Sequence, residues 1–346
     1  MIFKTTIHTI GGGDSRNHFL DTLKGICIIF VILTHYNWTS DQSLKMLFPY
    51  TIYMAVPLFM VISGYVYYLS FQKNRIEHFE SAYTFAFLLP KIIRYTVPFA
   101  MAMGIEFLFL VMMHKLNLSF FGGVIRGGNG PGSYYFPIMI QFLFLYPVIY
   151  FAIEKNGIKG FLVCLAVNAL YEFFQRIYWV DAELYRVLVL RYISVIAFGS
   201  LLASEHKGEI KTVHKIIAFF IGVVFIFIEA YTSYSPKIII HWTGTCFLAT
   251  LYILPICCFL FEKCRNVRIA PLELAGKASF NIFLTQMLFF VYAGQISRKV
   301  FANVQNQYVL TALQNLFNIL VCVIFGILFY KMEKRLTSKI LKLFKK

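Results

Sequence analysis

Long apolar runs, separated by short polar breaks, constrain this chain more than any other feature. A transmembrane helix needs about 20 consecutive, mostly apolar residues. By that criterion we predict ten spans: residues 18–37, 47–70, 95–113, 134–153, 158–178, 187–204, 213–231, 240–261, 274–296 and 308–331. Only 14% of the residues are charged, whereas a soluble domain has about 25%. The predicted fold is an all-α polytopic membrane protein, with residues 1–346 forming a single domain.

The distribution of Lys and Arg predicts the side of the membrane on which each connection lies. The N-terminus, the even-numbered connections and the C-terminal end hold most of these residues, and the odd-numbered connections hold few. Because cytoplasmic loops are enriched in Lys and Arg, both termini are predicted to be cytoplasmic, with residues 1–17 an N-terminal segment and 332–346 a basic tail. Residues 1–17 lack the pattern of a cleavable signal peptide. The same distribution accounts for the net charge of +16, so we expect no nucleic-acid partner.

The first predicted span carries charged and titratable residues inside an apolar run. It contains Asp21, Lys24 and His35, and such groups are costly within a bilayer. Ten residues lie between Lys24 and His35, and the eleven helical steps from one to the other bring both to nearly the same helix face, about 16 Å apart along the axis. Each alone has an ordinary explanation, since Lys24 can snorkel to the cytoplasmic interface and His35 lies near the outer one. With Asp21 one turn from Lys24, the three together indicate a functional interior face.

Other polar residues near the outer ends of the spans are candidates for binding a substrate. Arg191 can face a polar or charged ligand, although snorkelling is the alternative. Tyr134, Tyr135 and Gln141 can stack on a ligand and hydrogen-bond to it, or the two tyrosines can belong to the aromatic belt of the membrane interface.

The remaining intramembrane polar residues have simpler interpretations. Glu106, Glu172 and Glu229 lie in apolar surroundings and are expected to pair with buried cations, unless Glu229 is solvated. Ser63 and Asn281 are typical of hydrogen bonds between helices. The seven cysteines show neither CxxC nor Cys/His spacing, so we expect no disulfide framework and no metal site.

Two connections are longer than a turn. Residues 71–94 combine charged residues with a short apolar stretch and Pro90, which predicts an interfacial segment and a helix break before the third span. Residues 114–133 are glycine-rich. They lack the strand-loop-helix setting and the Lys-Ser/Thr ending of a phosphate-binding loop, so a flexible lid at the outer face is the favoured interpretation.

These residues carry a resemblance to a known family. The chain resembles acyltransferase family 3, the multi-pass membrane O-acyltransferases of cell-envelope glycans. The first span is similar to the family's opening motif, with a basic residue, a ten-residue gap and a histidine. The other similar segments follow in family order: Val56–Tyr65, Lys91–Phe99, Gly130–Phe142, Arg191–Ala203, Gly276–Gln286 and Tyr330–Arg335.

The resemblance implies roles for the candidate residues. Acyl transfer from a thioester to a sugar hydroxyl needs a base or a nucleophile and a cationic site for the coenzyme's phosphates. His35 is the expected catalytic residue at the outer face, with Lys24 and Asp21 holding the pantetheine arm or ordering the helix. Lys91 and Arg94 are the expected coenzyme A site at the cytoplasmic face, where positive-inside anchoring is the alternative. Ser63 is assigned to the donor side, and the acceptor is expected at the four outer residues: Tyr134, Tyr135, Gln141 and Arg191.

The chain departs from the family pattern in three ways. Gln286 stands where a histidine is common, so no second histidine role is assigned. Lys91 replaces an arginine, which keeps the charge but loses bidentate geometry. No extracellular hydrolase-like domain follows the tenth span, so we expect the membrane module alone.

The predicted function is acetyl transfer from cytoplasmic acetyl-CoA to a carbohydrate at the outer side of a bacterial inner membrane. The expected partners are membrane lipids, acyl-CoA and the carbohydrate acceptor. The alternative, from another class, is a transporter or exporter of a glycan or lipid-linked intermediate. The absence of detectable inverted repeats and the displacement of the charges toward the two membrane faces favour the enzyme.

Overall fold

The computed structural model describes residues 17–178, 181–232, 234 and 243–344. Three parts of the sequence-based predictions lie outside these residues: 1–16 of the N-terminal segment, 240–242 of the eighth span and 345–346 of the tail.

The described residues fold into α-helices and short 3₁₀ turns. The α-helices in chain order are α1 His18–Thr34, α2 Ser40–Lys45, α3 Ala55–Lys73, α4 Phe85–Met112, α5 Leu118–Ile125, α6 Tyr135–Asn156, α7 Ile158–Tyr178, α8 Ala182–Val187, α9 Ile193–Ala203, α10 Thr212–Tyr231, α11 Phe247–Thr250, α12 Ile253–Lys263, α13 Ala270–Lys277, α14 Ser279–Tyr292, α15 Ile296–Val300 and α16 Gln307–Leu343. The 3₁₀ segments are Phe48–Tyr50, Ile52–Met54, Glu80–Tyr83, Val189–Tyr192, Glu205–Glu209 and Thr243–Thr245.

The structure confirms an all-helical, polytopic membrane protein. Six helices among the described residues are long and apolar enough to cross a membrane: Phe48–Lys73, Phe85–Met112, Tyr135–Asn156, Ile158–Tyr178, Thr212–Tyr231 and Gln307–Leu343. A large share of their surface is apolar and exposed. In α10, for example, only 17% of the apolar window is buried inside the protein, as expected of a helix that faces lipid.

The other four predicted spans are not single long helices. The first is a helix of 17 residues, α1. The sixth is a 3₁₀ turn followed by α9, and the eighth is divided among a 3₁₀ turn, α11 and α12. The ninth is the pair α13 and α14, bent by 75° at its break. Backbone groups that are freed where a helix breaks must be satisfied by neighbouring protein, and nearly all residues of α9 are buried.

One predicted boundary is wrong. Pro90 does not interrupt the helix before the third span, because α4 begins at Phe85 and continues through Pro90 and Pro98. Pro90 is only the sixth residue of the helix, close to the end whose first four N–H groups have no intrahelical partner in any case. Its missing donor is therefore better tolerated there than in mid-helix.

Two glycine pairs fix the helices that carry the candidate residues. A Cβ at Gly25 would overlap the backbone of Leu272, and one at Gly276 would overlap the Asp21 carbonyl, so α1 and α13 cross with their backbones in contact. The same arrangement joins α3 to α9, where Gly64 and Gly199 each lie against the backbone of the other helix. Small residues allow this close approach in membrane helices, where van der Waals packing drives association.

The last helix extends well beyond a membrane span. With 37 residues at about 1.5 Å each, α16 is longer than the roughly 30 Å hydrocarbon core. The first twelve residues of the predicted basic tail, 332–343, therefore continue the tenth span as helix.

Candidate active site

His35 ends helix α1 at its predicted outer end. Its backbone N–H donates to the Ile32 carbonyl, and the indole N–H of Trp38 donates to the Leu33 carbonyl at 2.7 Å, which satisfies one of the carbonyls left open where a helix ends. The half-buried imidazole packs edge-on against the Phe290 ring, with 5.7 Å between centroids. No hydrogen bond joins this imidazole to any residue that the structure describes, so its nitrogens are available to a ligand.

The His35 ring lines a cavity of about 550 Å³ at that end of the protein, which we call the outer cavity. A volume of this size is typical of a small-molecule site. Its polar lining comes from α1, the 3₁₀ turn Ile52–Met54 and the segments around residues 134, 186–192 and 245: Thr34, His35, Tyr53, Tyr134, Arg186, Arg191, Tyr192 and Thr245. Among the described lining residues there is no Asp or Glu.

Arg191 is the most buried cation of the outer cavity, with only 3% of its surface exposed. One guanidinium nitrogen, Nη2, donates to Thr245 Oγ1 at 2.8 Å. The guanidinium lies 4.9 Å from the Tyr185 ring centroid and 4.7 Å from that of Tyr192, within cation–π range. Its orientation is therefore set by contacts on several sides.

A buried carboxylate, Glu172, supports Arg191 from α7. It interacts electrostatically with Arg191 and accepts hydrogen bonds from Asn168 Nδ2 at 3.0 Å and from the Phe247 backbone N–H at 3.0 Å. The Ser194 hydroxyl in turn donates to Asn168 Oδ1 at 2.7 Å. The sequence predicted that Glu172 pairs with a buried cation, and the cation with which it interacts electrostatically is the arginine of the outer cavity.

A second cavity, of about 200 Å³, lies around the opposite half of α1. We call it the inner cavity. It brings together Asp21, Lys24 and Ser63, three of the residues assigned from the sequence. Lys24 Nζ lies 3.9 Å from Asp21 Oδ1, and the Ser63 hydroxyl donates to the Phe59 carbonyl at 2.9 Å within its own helix. The other polar residues of its lining are Tyr67, Tyr95, Tyr135, Lys277 and Ser279.

A third, small cavity shares lining residues with each of the other two, and we call it the throat. Its open space is about 10 Å³, which is room for at most one water molecule. Val31, Val56 and Phe283 line both the throat and the outer cavity, whereas Phe59, Tyr135, Ser279 and Phe280 line both the throat and the inner cavity. The sequence assigned Tyr135 to the acceptor, but the structure places it at the throat and inner cavity.

Lys91 and Arg94 lie outside the inner cavity. Lys91 is half-buried against its own helix, where its ammonium donates to the Phe87 carbonyl at 3.2 Å. Arg94 is exposed and interacts electrostatically with Tyr67 and Tyr95, two residues of the inner cavity wall. Arg94 is thus placed beside this cavity, and Lys91 is one helical turn away from Arg94.

Gln141 is not among the residues that line the outer cavity. Its amide nitrogen donates to the Val187 carbonyl at 2.7 Å, and its amide oxygen accepts from the Val189 N–H at 3.2 Å. Both ends of the side chain are thus used to hold the backbone between Arg186 and Arg191. Its contacts make it a residue that positions the cavity wall.

The glycine-rich segment packs firmly against neighbouring helices. Glu106 accepts hydrogen bonds from Asn129 Nδ2 at 3.3 Å and from the Tyr292 hydroxyl at 2.7 Å. Gly128 lies against the side chains of Met287 and Met103. The sequence predicted that Glu106 pairs with a buried cation. In the structure its Oε1 instead accepts hydrogen bonds from a neutral amide and a phenol.

Sequence reasoning missed several cavity residues. Tyr192 and Thr245 line the outer cavity, but the apolar composition of their segments does not distinguish them from other spans. Lys277 lines the inner cavity from the bent pair α13–α14. Only the tertiary structure brings these residues to α1. The described residues contain no group of three or more His, Cys, Asp or Glu side chains that could hold a metal ion.

Comparison with known proteins identifies the family. The acyltransferase family 3 model, described as an acyltransferase domain, matches residues 17–331. Searches of curated proteins and of solved structures gave no match. The match spans α1, with Asp21, Lys24 and His35, and continues to within α16, so it includes both cavities. On this evidence of sequence the chain belongs to acyltransferase family 3.

Proposed function

We propose that this protein is an O-acetyltransferase of a bacterial inner membrane. It takes an acetyl group from cytoplasmic acetyl-CoA and transfers it to a hydroxyl of a cell-envelope carbohydrate at the outer face. The observation that carries the proposal is the pair of cavities along α1 that both share lining residues with the throat, with Lys24 in the inner cavity and His35 in the outer one.

The donor side of the proposal uses the inner cavity. A coenzyme A molecule has a phosphate-bearing nucleotide at one end and a thioester on a narrow pantetheine arm at the other. At the predicted cytoplasmic face, Arg94 is exposed and Lys91 is half-buried. The guanidinium of the first and the ammonium of the second both attract phosphate. The arm then extends past Lys24 and Ser63 toward the throat. Lys24 and His35 are about 16 Å apart along α1, a distance that an extended arm can cover.

The acceptor side uses the outer cavity and His35. A neutral imidazole accepts the proton of the sugar hydroxyl as its oxygen attacks the thioester carbonyl carbon. The C–S bond breaks, and the imidazolium returns the proton to the departing thiolate. An alternative with the same residues has the imidazole carry the acetyl group as a covalent intermediate. Both routes require His35 at the acceptor, and both predict loss of transfer when it is removed.

The first test replaces this histidine. We expect His35→Ala and His35→Gln to reduce acetyl transfer by about 10²- to 10⁴-fold, the usual contribution of a general base. The assay follows radiolabelled acetyl from acetyl-CoA into the envelope glycan fraction in membrane vesicles. His114→Asn is the matched control, because His114 is a surface histidine with φ of 51° that asparagine tolerates. Activity of the His35 variants within a few-fold of the control would remove His35 from the mechanism.

The second test concerns the donor. Arg94→Gln is expected to raise the acetyl-CoA concentration needed for half-maximal rate more than it lowers the saturated rate, with Lys91→Gln giving the smaller effect. Lys263→Gln removes another exposed cation near the predicted cytoplasmic face and serves as the control. If all three variants lost the same fraction of transfer activity at every acetyl-CoA concentration, Lys91 and Arg94 would only help to orient the protein in the membrane and would not bind the donor.

The third test concerns sidedness. In a variant without native cysteines, His35→Cys should react with a membrane-impermeant thiol reagent from outside the cell, and Lys91→Cys from the cytoplasm. Acetyl-CoA should protect both positions if the pantetheine arm passes between them. Labelling of both positions from the same side would contradict the predicted topology and the transfer route.

The transporter alternative requires a much larger molecule to pass the throat. An exported glycan would have to pass bodily through a passage with about 10 Å³ of open space, whereas acetyl transfer needs only the narrow arm to enter it. Membership of acyltransferase family 3 also favours the enzyme. Acetyl-CoA-dependent labelling of glycan by the purified protein separates the two functions, because a transporter produces none.

A further inference from the structure

Two small cavities at the predicted cytoplasmic face have no part in the proposed function. The first, of about 70 Å³, we call the basic pocket, and the second, of about 60 Å³, we call the apolar cleft. Neither shares a lining residue with the outer cavity, the throat or the inner cavity. The two adjoin each other, because three residues line both: Ile210, Lys215 and Cys258.

The basic pocket lies where four helix ends meet. Its lining includes Phe19 at the beginning of α1, Leu202 at the end of α9, Lys215 near the beginning of α10 and Phe261 near the end of α12. All four ends adjoin segments that are predicted to be cytoplasmic from their Lys and Arg content. The basic pocket is therefore placed at the predicted cytoplasmic interface of the membrane.

The basic pocket carries more positive than negative charge. Its lining contains three cations, Lys207, Lys215 and Arg265, and one carboxylate, Glu262. Glu262 lies 3.6 Å from Lys215 Nζ, so this cation is balanced within the protein. Lys207 and Arg265 are exposed, and neither makes a hydrogen bond or an ion pair with any other residue that the structure describes. Two positive charges are therefore available to a ligand.

The carboxylates on the segment that carries Lys207 do not balance its charge. Glu209 uses both of its oxygens elsewhere, since Oε1 lies 2.7 Å from His206 Nδ1 and Oε2 accepts from the Ile158 N–H at 2.8 Å. Glu205 is exposed and forms no ion pair within the described part of the chain. Lys207 thus faces the basic pocket without a competing anion.

The apolar cleft extends from the basic pocket toward the membrane interior. Its walls include Phe161 and Phe198, whose rings pack edge-on with 5.6 Å between centroids, together with Ala218 of α10 and Leu254 of α12. Leu254 is the second residue of α12, which places it about 14 Å deeper than the cytoplasmic end of that helix. Only 17% of the apolar window of α10 is buried, so a lipid-facing helix borders the cleft.

The combination of the two cavities selects the ligand. Exposed cations can be satisfied by water, and an apolar cleft can take any hydrocarbon chain, so neither cavity is selective alone. Together they match a molecule that has a negative head group and a hydrocarbon chain at the depth of the interface. Basic pockets between transmembrane helices on the cytoplasmic side are typical sites for the head groups of anionic lipids.

We propose that the basic pocket and the apolar cleft bind one anionic phospholipid of the cytoplasmic leaflet. Its phosphate lies at Lys207 and Arg265, and the beginning of one acyl chain enters the cleft. Each cavity holds only a few groups of the size of water, so the rest of the lipid lies along the exposed surface of α10. Lys215 lines both cavities and suits their boundary, because its stem is apolar and its ammonium polar. This inference does not depend on the proposed acetyl transfer.

The first experiment measures lipid affinity. The purified, delipidated protein in detergent is titrated with phosphatidylglycerol or with phosphatidylcholine, and the first bound lipid is counted by native mass spectrometry. We expect phosphatidylglycerol to bind about 25-fold more tightly. This figure is about 5-fold for each of two cations, the scale of one Lys or Arg near an anionic lipid surface. Equal affinity for the two lipids overturns the inference.

Variants of the exposed cations locate the head group with little risk to folding. Lys207→Gln and Arg265→Gln should each weaken phosphatidylglycerol binding about 5-fold and leave phosphatidylcholine binding unchanged. Lys263→Gln is the matched control, because Lys263 is an exposed cation of α12 that lines neither cavity. A loss in Lys263→Gln equal to that in the other two variants would assign the affinity to general surface charge and overturn the inference. So would the absence of any loss in Lys207→Gln and Arg265→Gln.

A further pair of variants tests the apolar cleft. Ala218→Leu fills space in the cleft and should weaken phosphatidylglycerol binding by about 15-fold, the contribution of two buried methylene groups. Ala230→Leu is the control, since Ala230 is also half-buried on α10 and lines neither cavity. Thermal unfolding checks that both variants are folded. If Ala218→Leu is folded and binds phosphatidylglycerol as tightly as the control, the inference is wrong.

Two soluble competitors distinguish a lipid from a free anion. Glycerophosphoglycerol is the head group of phosphatidylglycerol without its chains, and acetyl-CoA is the proposed donor. We expect neither to displace bound phosphatidylglycerol at millimolar concentration, because neither can fill the apolar cleft with a hydrocarbon chain. Displacement by glycerophosphoglycerol would identify a site for soluble phosphates, and displacement by acetyl-CoA would identify a donor site. Either result overturns the inference.

Discussion

The proposed function requires an acyl group to pass the throat, and Phe280 is the residue that tests this requirement. The throat offers about 10 Å³ of open space. Phe280 is half-buried, lines both the throat and the inner cavity, and packs edge-on against Tyr95 with 5.4 Å between centroids. Phe280→Ala should open the passage on its inner side without removing a fully buried side chain.

The magnitude follows from the methylene groups that the wider throat would accept. A butyryl group has two more methylenes than an acetyl group, and each buried methylene contributes about 0.8 kcal/mol. Two contribute about 1.6 kcal/mol, which corresponds to roughly 15-fold in relative kcat/KM. We therefore expect the butyryl-CoA to acetyl-CoA ratio of kcat/KM to rise by about that factor in Phe280→Ala.

The assay compares acetyl-, propionyl- and butyryl-CoA by release of free coenzyme A in the presence of the envelope glycan fraction. Phe289→Ala is the matched control, since Phe289 is a half-buried phenylalanine on the same helix, α14, and does not line the throat. Propionyl-CoA should show an intermediate ratio. A chain-length profile in Phe280→Ala that matches both wild type and Phe289→Ala would refute passage of the acyl group through this throat.

Two further predictions concern stability. Gly25→Ala should destabilise the protein by about 1–3 kcal/mol, the usual cost of overpacking, because its Cβ would overlap the Leu272 backbone. Thermal unfolding measures this effect. The control is Gly104→Ala, which should be neutral or stabilising because nothing lies within 4 Å of a Cβ there. Outside the membrane spans, the Glu209 carboxylate raises the pKa of His206 above 6.5, so this pair contributes its full stabilisation below pH 6.5 and loses it as pH rises through the raised pKa. The Tm difference between wild type and His206→Gln should accordingly be larger at pH 6 than at pH 9, and a difference independent of pH would contradict the role assigned to this contact.

Residue spacing predicted how far apart Lys24 and His35 lie along α1. Eleven helical steps separate them by about 16 Å, and the structure places Lys24 in the inner cavity and His35 in the outer one. Their roles in catalysis stay predictions. The cation that interacts electrostatically with Glu172 is Arg191, which the sequence could not identify because it lies in a different segment of the chain.

Three residues differ in the structure from what their local sequence suggested: Pro90, Gln141 and Tyr135. Pro90 was expected to break a helix, yet α4 continues through both Pro90 and Pro98. Gln141 has the amide chemistry of a sugar-binding residue, but the chain folds so that both of its polar atoms bond to backbone. Tyr135 differs from its neighbour Tyr134 by one helical step of about 100°, and this step turns it from the outer cavity to the throat.

The sequence by itself determined the class of protein, the six segments that form helices long and apolar enough to cross a membrane, and the family, and it predicted an orientation. Those properties depend on local hydrophobicity, on the charge of short connections and on motifs within single segments, all of which can be read along the chain. Only the tertiary structure decided the two cavities, the throat between them and the arginine pair of the outer cavity. Those features arise where distant helices meet, through the backbone contacts of Gly25 with α13 and of Gly64 with α9. Such contacts depend on the shape of both partners, which hydrophobicity and residue spacing do not specify.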